Sequence, residues 1–318
     1  MPLSEFAIIQ NYFKKISVQR QDVVVGIGDD AALLTAPRQQ LVMTMDSLNV
    51  DIHFFADMPA EALGYKSLAV NLSDLAAMGA EPAWICLALS LPEVNEEWLE
   101  KFCQGFNRLL TEHQVQLIGG DTCRGALSCT VHATGFVDPD LALRRDKAQV
   151  GDLIYVSHSL GAAGLALEAL KGKIMLSSAD FEKVLAHLYY PTPRFEIARS
   201  LRGIAKTAID LSDGLAGDLA HILKASKVGA VLYADKVPIA PTVLKYYSFK
   251  DALTLALTAG DDYELCFTIP ATAQAIVEKN LGTHCSLIGK ITAELDYLLE
   301  DAEGVCQPLV LCAHQHFQ

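Results

Sequence analysis

Positive charge is scarce in this chain. Over 318 residues, 25 Lys and Arg stand against 38 Asp and Glu, a formal net charge of −13. A general nucleic-acid binder is excluded on that ground, because phosphate backbones need a basic surface that releases their counterions. Any phosphate group held here needs a cation. Also absent is an uninterrupted apolar run of about 18 residues, and the opening MPLSEFAIIQNYFKK has no basic segment leading into a long apolar one. A soluble, cytoplasmic protein with no membrane partner is expected. Eight cysteines are present (Cys86, Cys103, Cys123, Cys129, Cys266, Cys285, Cys306, Cys312), yet they form no CxxC pair and none of the usual zinc spacings. Reduced thiols, mostly in the core, are the expectation. No GxxxxGK[ST] loop occurs, the GAAG at Gly161 to Gly164 lacks the dinucleotide fingerprint, and the lysine, HRD and DFG set of protein kinases is missing. A phosphate-handling enzyme of this sequence needs another scaffold.

What is present suits two packed cores. Hydrophobic residues make up 51% and charged residues 20%, a globular composition, and the length fits two domains of about 150 residues each. Helical spacing of Phe6, Ile9, Tyr12 and Phe13 opens the chain, and the strand-like VVVGIG and LVMTMDS follow, the second ending on Asp46. A helix is expected from Pro59 to a break near Gly79, then a buried strand AWICLALSL, a helix through Trp98, Phe102, Phe106 and Leu109, and the strands VQLIGGD and SCTVHATGFV. The polar stretch DPDLALRRDKAQVGD marks a boundary near 138–152, giving domains 1–140 and 150–318. Beyond it, helices and strands alternate: LIYVS, GAAGLALEALKG, DFEKVLAHLYY, a helix after Pro193, TAIDLS, DGLAGDLAHILKAS, GAVLYA, ELCFTI, PATAQAIVEKNLG and CSLIGKI. The fold class is mixed α/β in two domains.

Five apolar, strand-like runs lead straight into acids: VVVGIGDD to Asp29 and Asp30, LVMTMD to Asp46, LAVNLSD to Asp74, LIGGD to Asp121, and TAIDLSD to Asp210 and Asp213. Ionised carboxylates beside buried strands cost several kcal/mol each, by rough estimate, unless paired or metal-bound. With Lys and Arg scarce beside them, divalent cations are the expected partner, and all-oxygen ligand sets suit Mg²⁺ bridging to substrate phosphates. Any one of these aspartates alone reads equally as a turn or helix-cap residue. Their recurrence next to Gly or Ser at the ends of apolar segments points to a shared set of cations.

Taken in order, VGIGDDAALL (25–34), TMDS (44–47), NLSDLAAMGAEPAW (71–84), LIGGDT (117–122), AIDLSDGL (208–215) and AGDDYELCF (259–267) resemble the thiamine-monophosphate kinases. These are members of an ATP-binding superfamily that includes aminoimidazole ribonucleotide synthetase, and the likeness runs nearly end to end. It implies ATP-dependent phosphorylation of thiamine monophosphate to thiamine diphosphate, several Mg²⁺ ions, and a homodimer whose N-terminal sheets pack together. By matched position it implies metal ligands at Asp30, Thr44, Met45, Asp46, Asp74, Asp121, Asp210 and Asp213. Met45 can serve only through its backbone carbonyl. ATP contacts are implied at Gly120, Asp121, Arg145 and Ser212, and thiamine monophosphate contacts at His53, Asp261 and His314. Asp261 replaces the glutamate usual in relatives, and His314 stands where an aromatic ring is usual. No residue is expected as a general acid or base. Two rivals remain at this stage: another synthetase of the superfamily, against which the first cysteine falling at Cys86 and the DYEL element argue, and a non-catalytic metal- and nucleotide-binding protein.

Overall fold

The computed structural model describes residues 4–16, 18–28, 31–35 and 37–309. They divide into two compact units, Met1–Leu75 with Ala80–Pro139 and Ala76–Gly79 with Asp140–Gln318. No helix among the described residues is long and apolar enough to cross a membrane.

The first unit opens on α1 (Glu5–Ile8), which continues as a π-helical turn over Ile9–Phe13. A two-stranded ribbon follows, β1 (Val23–Val25) with β2 (Leu33–Leu34). Then come β3 (Gln40–Asn49), α2 (Ala60–Ala77), β4 (Glu81–Leu91), α3 (Glu96–His113), β5 (Gln116–Arg124) and β6 (Ser128–Val137). The last four strands form one sheet in the order β3-β6-β4-β5, with β4 and β5 parallel and the other neighbours antiparallel. Along β3 exposure alternates: Val42, Thr44, Asp46 and Leu48 are covered, whereas Leu41, Met43, Met45 and Ser47 are exposed, as the two-residue period of a strand dictates.

Helix α3 is amphipathic, with Leu99, Phe102, Phe106 and Leu109 buried and Asn95 capping it by accepting the Trp98 N–H at 3.0 Å. Helix α2 is buried on nearly every side and so shows no single apolar stripe; Lys66, Ser67, Asn71 and Ser73 are buried in it beside its apolar residues. The two meet at glycines: a Cβ on Gly64 would lie 2.1 Å from the Phe102 carbonyl oxygen, and one on Gly105 1.9 Å from that of Glu61. Trp84, Ile118 and Phe136 form a small separate cluster on which Val23 and Leu34 of the ribbon pack. The Trp84 indole donates to Asp22 at 3.2 Å there.

The second unit contains β7 (Leu153–Ser157), α4 (Ala162–Leu170), α5 (Ser178–Tyr189), α6 (Phe195–Leu201), β8 (Thr207–Asp210), α7 (Leu215–Ser226), β9 (Gly229–Tyr233), α8 (Pro241–Tyr246), α9 (Phe249–Thr258), β10 (Leu265–Ile269), α10 (Gln274–Leu281), β11 (Cys285–Thr292), β12 (Tyr297–Glu300) and β13 (Cys306–Pro308). Its sheet runs β13-β12-β9-β11-β7-β10-β8, with β12 parallel to β9 and the remaining pairs antiparallel. One extensive core, including Ile154, Val156, Leu165, Leu219, Ile222, Ala256 and Ile288, joins helices to sheet. Leu143 donates its N–H to the Met78 carbonyl at 3.1 Å and the Arg202 guanidinium donates to the Gly79 carbonyl at 3.0 Å, which is why residues 76–79 belong to this unit.

The expected mixed α/β architecture is what forms, with differences in extent. Strand β3 does not end on Asp46, and β5 does not end on Asp121, because ladder pairing carries through both: Asp46 faces Val131 and Asp121 faces Ala88. Helices α8 and α9 went unrecognised in the sequence. They begin on Pro241 and on Ser248, whose hydroxyl accepts the Asp251 N–H at 3.3 Å, so start signals were legible but each helix is too short to show a clear period. The cysteines among the described residues are less buried than expected, and Cys312 lies outside those residues. Cys103, Cys129 and Cys266 are in the core, Cys86 and Cys285 are half-buried, and Cys123 and Cys306 are exposed.

Candidate functional site

In the first unit Asp46 and Asp74 stand at one opening in α2. From Ala62 to Ala77 every residue of the helix is buried except Asp74. Asp74 accepts the Thr44 hydroxyl at 2.5 Å, joining α2 to the covered face of β3. Three residues earlier on the helix, Asn71 is pinned by donating to the Ser67 carbonyl at 3.0 Å, and its side-chain oxygen accepts the Asp46 N–H, also at 3.0 Å. Thr44 and Asp46 share a face, so two carboxylates, a hydroxyl and an amide from β3 and α2 form a compact oxygen-rich group. The Met45 side chain stands on the opposite face, 64% exposed, which leaves its backbone as the part near that group.

Asp121 is exposed on β5. Between β5 and β3 lie β6 and β4, so at about 4.8 Å per strand the two edges are roughly 14 Å apart. On this sheet Asp46 and Asp121 are thus separate oxygen-donor positions, three strand spacings apart. The Gly120 backbone makes the tightest approach here: with φ of 152°, a Cβ on it would fall 1.9 Å from the Leu87 carbonyl oxygen. Only glycine fits. His53 follows β3 in a turn, where its Nδ1 accepts the Asn49 N–H at 3.0 Å, so the proton of the neutral ring belongs on Nε2. Asp30 and Asp29 lie outside the described residues.

In the second unit the DLSDG and AGDDYEL segments are laced together. Asp210 ends β8, buried to 4% exposure. Leu211 donates its N–H to the Glu264 carbonyl at 2.8 Å, Tyr263 donates to Leu211 at 2.8 Å, and Asp261 donates to Ser212 at 2.9 Å. A Cβ on Gly260 would meet the Ser212 carbonyl oxygen at 2.4 Å. Asp261 and Tyr263 hold φ of 69° and 49°, left-handed conformations that side chains other than glycine adopt at a cost. Arg145 lies on an exposed segment, its carbonyl accepting the Ser226 hydroxyl at 2.8 Å. His314 lies outside the described residues.

Three acids to which the sequence assigns no role frame these loops. Asp218 on α7 accepts the Asp213 N–H at 3.0 Å, and burial, with the Asp213 charge added, pushes its carboxyl up to about 7 against the pull of its hydrogen bonds and of Arg145. Asp262 accepts the Gly161 N–H at 2.8 Å at the start of α4. That residue is half-buried as a whole, but its carboxyl is enclosed on all sides, and burial pushes it up to about 8. Glu264 takes both sides of the Arg194 guanidinium, with Nε donating at 2.7 Å, and also accepts the Ser157 hydroxyl. The signal that could have found Asp218 is an acid in the first turn of a helix, next to a glycine start with no side-chain cap.

Among the described residues no three His, Cys, Asp or Glu side chains stand close enough to enclose a metal by themselves. What they offer is pairs of oxygen donors with half-open surroundings. Mg²⁺ is bound in this way, through one or two carboxylates completed by water and substrate phosphates and not by all-protein cages, so the donor set fits that ion.

The AIR synthase related protein N-terminal domain model matches residues 28–137, and the corresponding C-terminal domain model matches residues 149–299. Thiamine-monophosphate kinase of Haemophilus influenzae is 46% identical over 297 residues, covering 92% of this chain and 90% of the relative. The crystal structure of thiamine-monophosphate kinase from Stenotrophomonas maltophilia superposes with a TM-score of 0.87 at 44% identity, over 96% of this chain and 99% of that one. A solved AaThiL complexed with AMPPCP and TMP superposes with a TM-score of 0.78 at 25% identity, over 100% and 99% of the two chains. Carried from end to end by these likenesses, this chain belongs to the thiamine-monophosphate kinase family of AIR synthase related proteins.

Proposed function

We propose that this chain transfers the γ-phosphoryl group of ATP to thiamine monophosphate, giving thiamine diphosphate and ADP. The observation that carries the reading is the single opening in α2, a carboxylate at Asp74 bonded to Thr44 beside Asp46, at a motif the thiamine-monophosphate kinases share. A relative bound to AMPPCP and TMP supports both substrates.

The acceptor is a phosphate monoester with a second pKa of about 6, already mostly an anionic nucleophile at neutral pH. Its oxygen attacks the γ-phosphorus, the bond from that phosphorus to the β,γ-bridging oxygen breaks, and ADP leaves with the electron pair. No proton has to be removed, so no general base is required. What remains is positioning and charge neutralisation. Two unit charges ~4 Å apart repel by ~4 kcal/mol at an effective dielectric of ~20, and a triphosphate against a monophosphate multiplies this several-fold. Mg²⁺ supplies the opposing charge. Asp30, Thr44, the Met45 carbonyl, Asp46, Asp74, Asp121, Asp210 and Asp213 are the residues that would hold it. Gly120, Asp121, Arg145 and Ser212 are assigned to ATP, with Arg145 offering a planar fork to a phosphate. His53, Asp261 and His314 are assigned to thiamine monophosphate.

The same reading includes a homodimer. It is supported by the exposed apolar row Leu41, Met43 and Met45 on β3, since a sheet face left to water is ordinarily polar. The test of function is ADP release from ATP and Mg²⁺ with and without thiamine monophosphate. Release that depends on thiamine monophosphate is expected; release indifferent to it would leave a different synthetase, and none with any small molecule would leave a binding protein.

A further inference from the structure

We infer that Asp218 is a positioning residue, whose buried carboxylate fixes the Ser212–Asp213 loop in the conformation that receives a nucleotide and its cation. The inference rests on the kinase reading for the identity of the nucleotide, and it deepens that reading at one loop.

The loop is held on two sides by different means. On one side it is laced to the AGDDYEL segment through the backbone bonds at Leu211 and Ser212. That lacing engages the carbonyls of 211 and 212 and the N–H of 211, and leaves the N–H groups of Ser212 and Asp213 for another acceptor. Asp218 is the acceptor for the second of these: its Oδ2 receives the Asp213 N–H at 3.0 Å.

Geometry leaves the loop little other means of support. Helix α7 starts on Gly214, with φ of 101° and no side-chain cap, and a Cβ there would lie 2.8 Å from the Thr258 carbonyl carbon. No capping side chain can be placed at that position. Asp218 reaches back from the first turn of the helix to take its place, at the end where the helix dipole favours a negative group. It does so buried, at 3% exposure, where an unsatisfied N–H costs ~1–3 kcal/mol.

Its position relative to charge is informative too. Asp218 lies within electrostatic reach of both Asp213 and Arg145, an assigned cation ligand and an assigned ATP contact. An acid buried and engaged by the Asp213 N–H cannot turn outward to compete for the cation. It sets where the Asp213 carboxylate and the Ser212 backbone stand, without touching either ligand.

The variants that test this are Asp218→Asn and Asp218→Ala. The amide keeps one acceptor oxygen and loses the other; alanine loses both. Calorimetric titration with a non-hydrolysable ATP analogue in Mg²⁺ is the first readout. Affinity is expected to fall about 3-fold for Asn and 10-fold or more for Ala. In the turnover assay the Mg²⁺ concentration for half-activation rises in the same order, while KM for thiamine monophosphate stays within about 2-fold. A merely structural loss would lower the fraction of active protein without that split. Wild-type affinity and Mg²⁺ dependence in both variants overturn the inference, as does an equal rise in KM for both substrates. Should Asp218→Ala fail to fold, Asp218→Asn against wild type decides by the same criteria. The binding arm needs no turnover, so a wild-type protein that binds the Mg²⁺ and ATP analogue but makes no thiamine diphosphate refutes the kinase reading alone. A wild-type protein that binds no nucleotide refutes both.

Discussion

At the scale of single residues, Asp74 carries the largest expectation. Between Ala62 and Ala77 it is the one residue of α2 not buried, and its carboxylate is joined to Thr44. Asp74→Asn keeps the shape and removes the charge. Turnover should fall at least about 100-fold, the order found when one preorganised electrostatic group is lost, while thermal unfolding stays where it was. Retained turnover in a steady-state assay would remove Asp74 from the metal site. The aspartates of this group were legible because an acid after a buried run is conspicuous in sequence. Asp218 and Asp262 were not, since their partners are backbone N–H groups brought near only by folding.

His158 gives a residue-level prediction for pH. Its φ of 46° and its half-buried ring sit 3.7 Å from Glu264 and beside Arg194, His284 and His187. Burial first, and then the neighbouring positive groups, push it down to about 4, whereas in the unfolded chain it titrates near 6.5. Between those two pH values the unfolded chain holds the extra proton, so stability contributed by the neutral ring is present above about pH 6.5 and is lost as pH falls toward 4. Melting temperatures measured across that window should drop. In His158→Asn, where the side chain tolerates positive φ, the drop should be shallower; an unchanged slope would assign acid sensitivity elsewhere.

At the scale of elements, the decisive contact is the α2–α3 crossing. Gly64 and Gly105 let the two backbones approach so closely that a Cβ would overlap a carbonyl oxygen. Gly64→Ala should destabilise by at least about 1–3 kcal/mol, the usual cost of overpacking, and because α2 carries Asn71 and Asp74, Mg²⁺ activation should weaken with it. Denaturant unfolding of the variant checks the first and Mg²⁺ titration of turnover the second. Element type was largely readable from periodicity. Element length was less so: a polar residue in β3 or β5 looks like an end, whereas ladder pairing to β6 and β4 continues through Asp46 and Asp121. How near the acids of β3 and β5 come to one another depends likewise on the strand order, which sets β5 three spacings from β3 and which no local pattern encodes.

At the scale of the whole molecule, the mixed α/β class followed from the order of strands and helices, and the family from six motifs spread along the full chain. Oligomeric state depends on a surface. The exposed Leu41, Met43 and Met45 alternate with the covered Thr44 and Asp46 on one strand, so a face that binds a second copy would back directly onto the residues assigned to the cation. Met43→Glu should shift a dimer toward monomer in analytical ultracentrifugation; a wild-type protein that sediments as a monomer would remove the dimer from the reading.

The most direct measurement on the whole molecule is a single turnover with ATP labelled in its γ-phosphoryl group, in Mg²⁺ and thiamine monophosphate. The expected result is label in thiamine diphosphate, formed one for one with ADP and never on the protein. Label released as inorganic phosphate, or trapped on the polypeptide, would contradict direct transfer between two anions held by these aspartates.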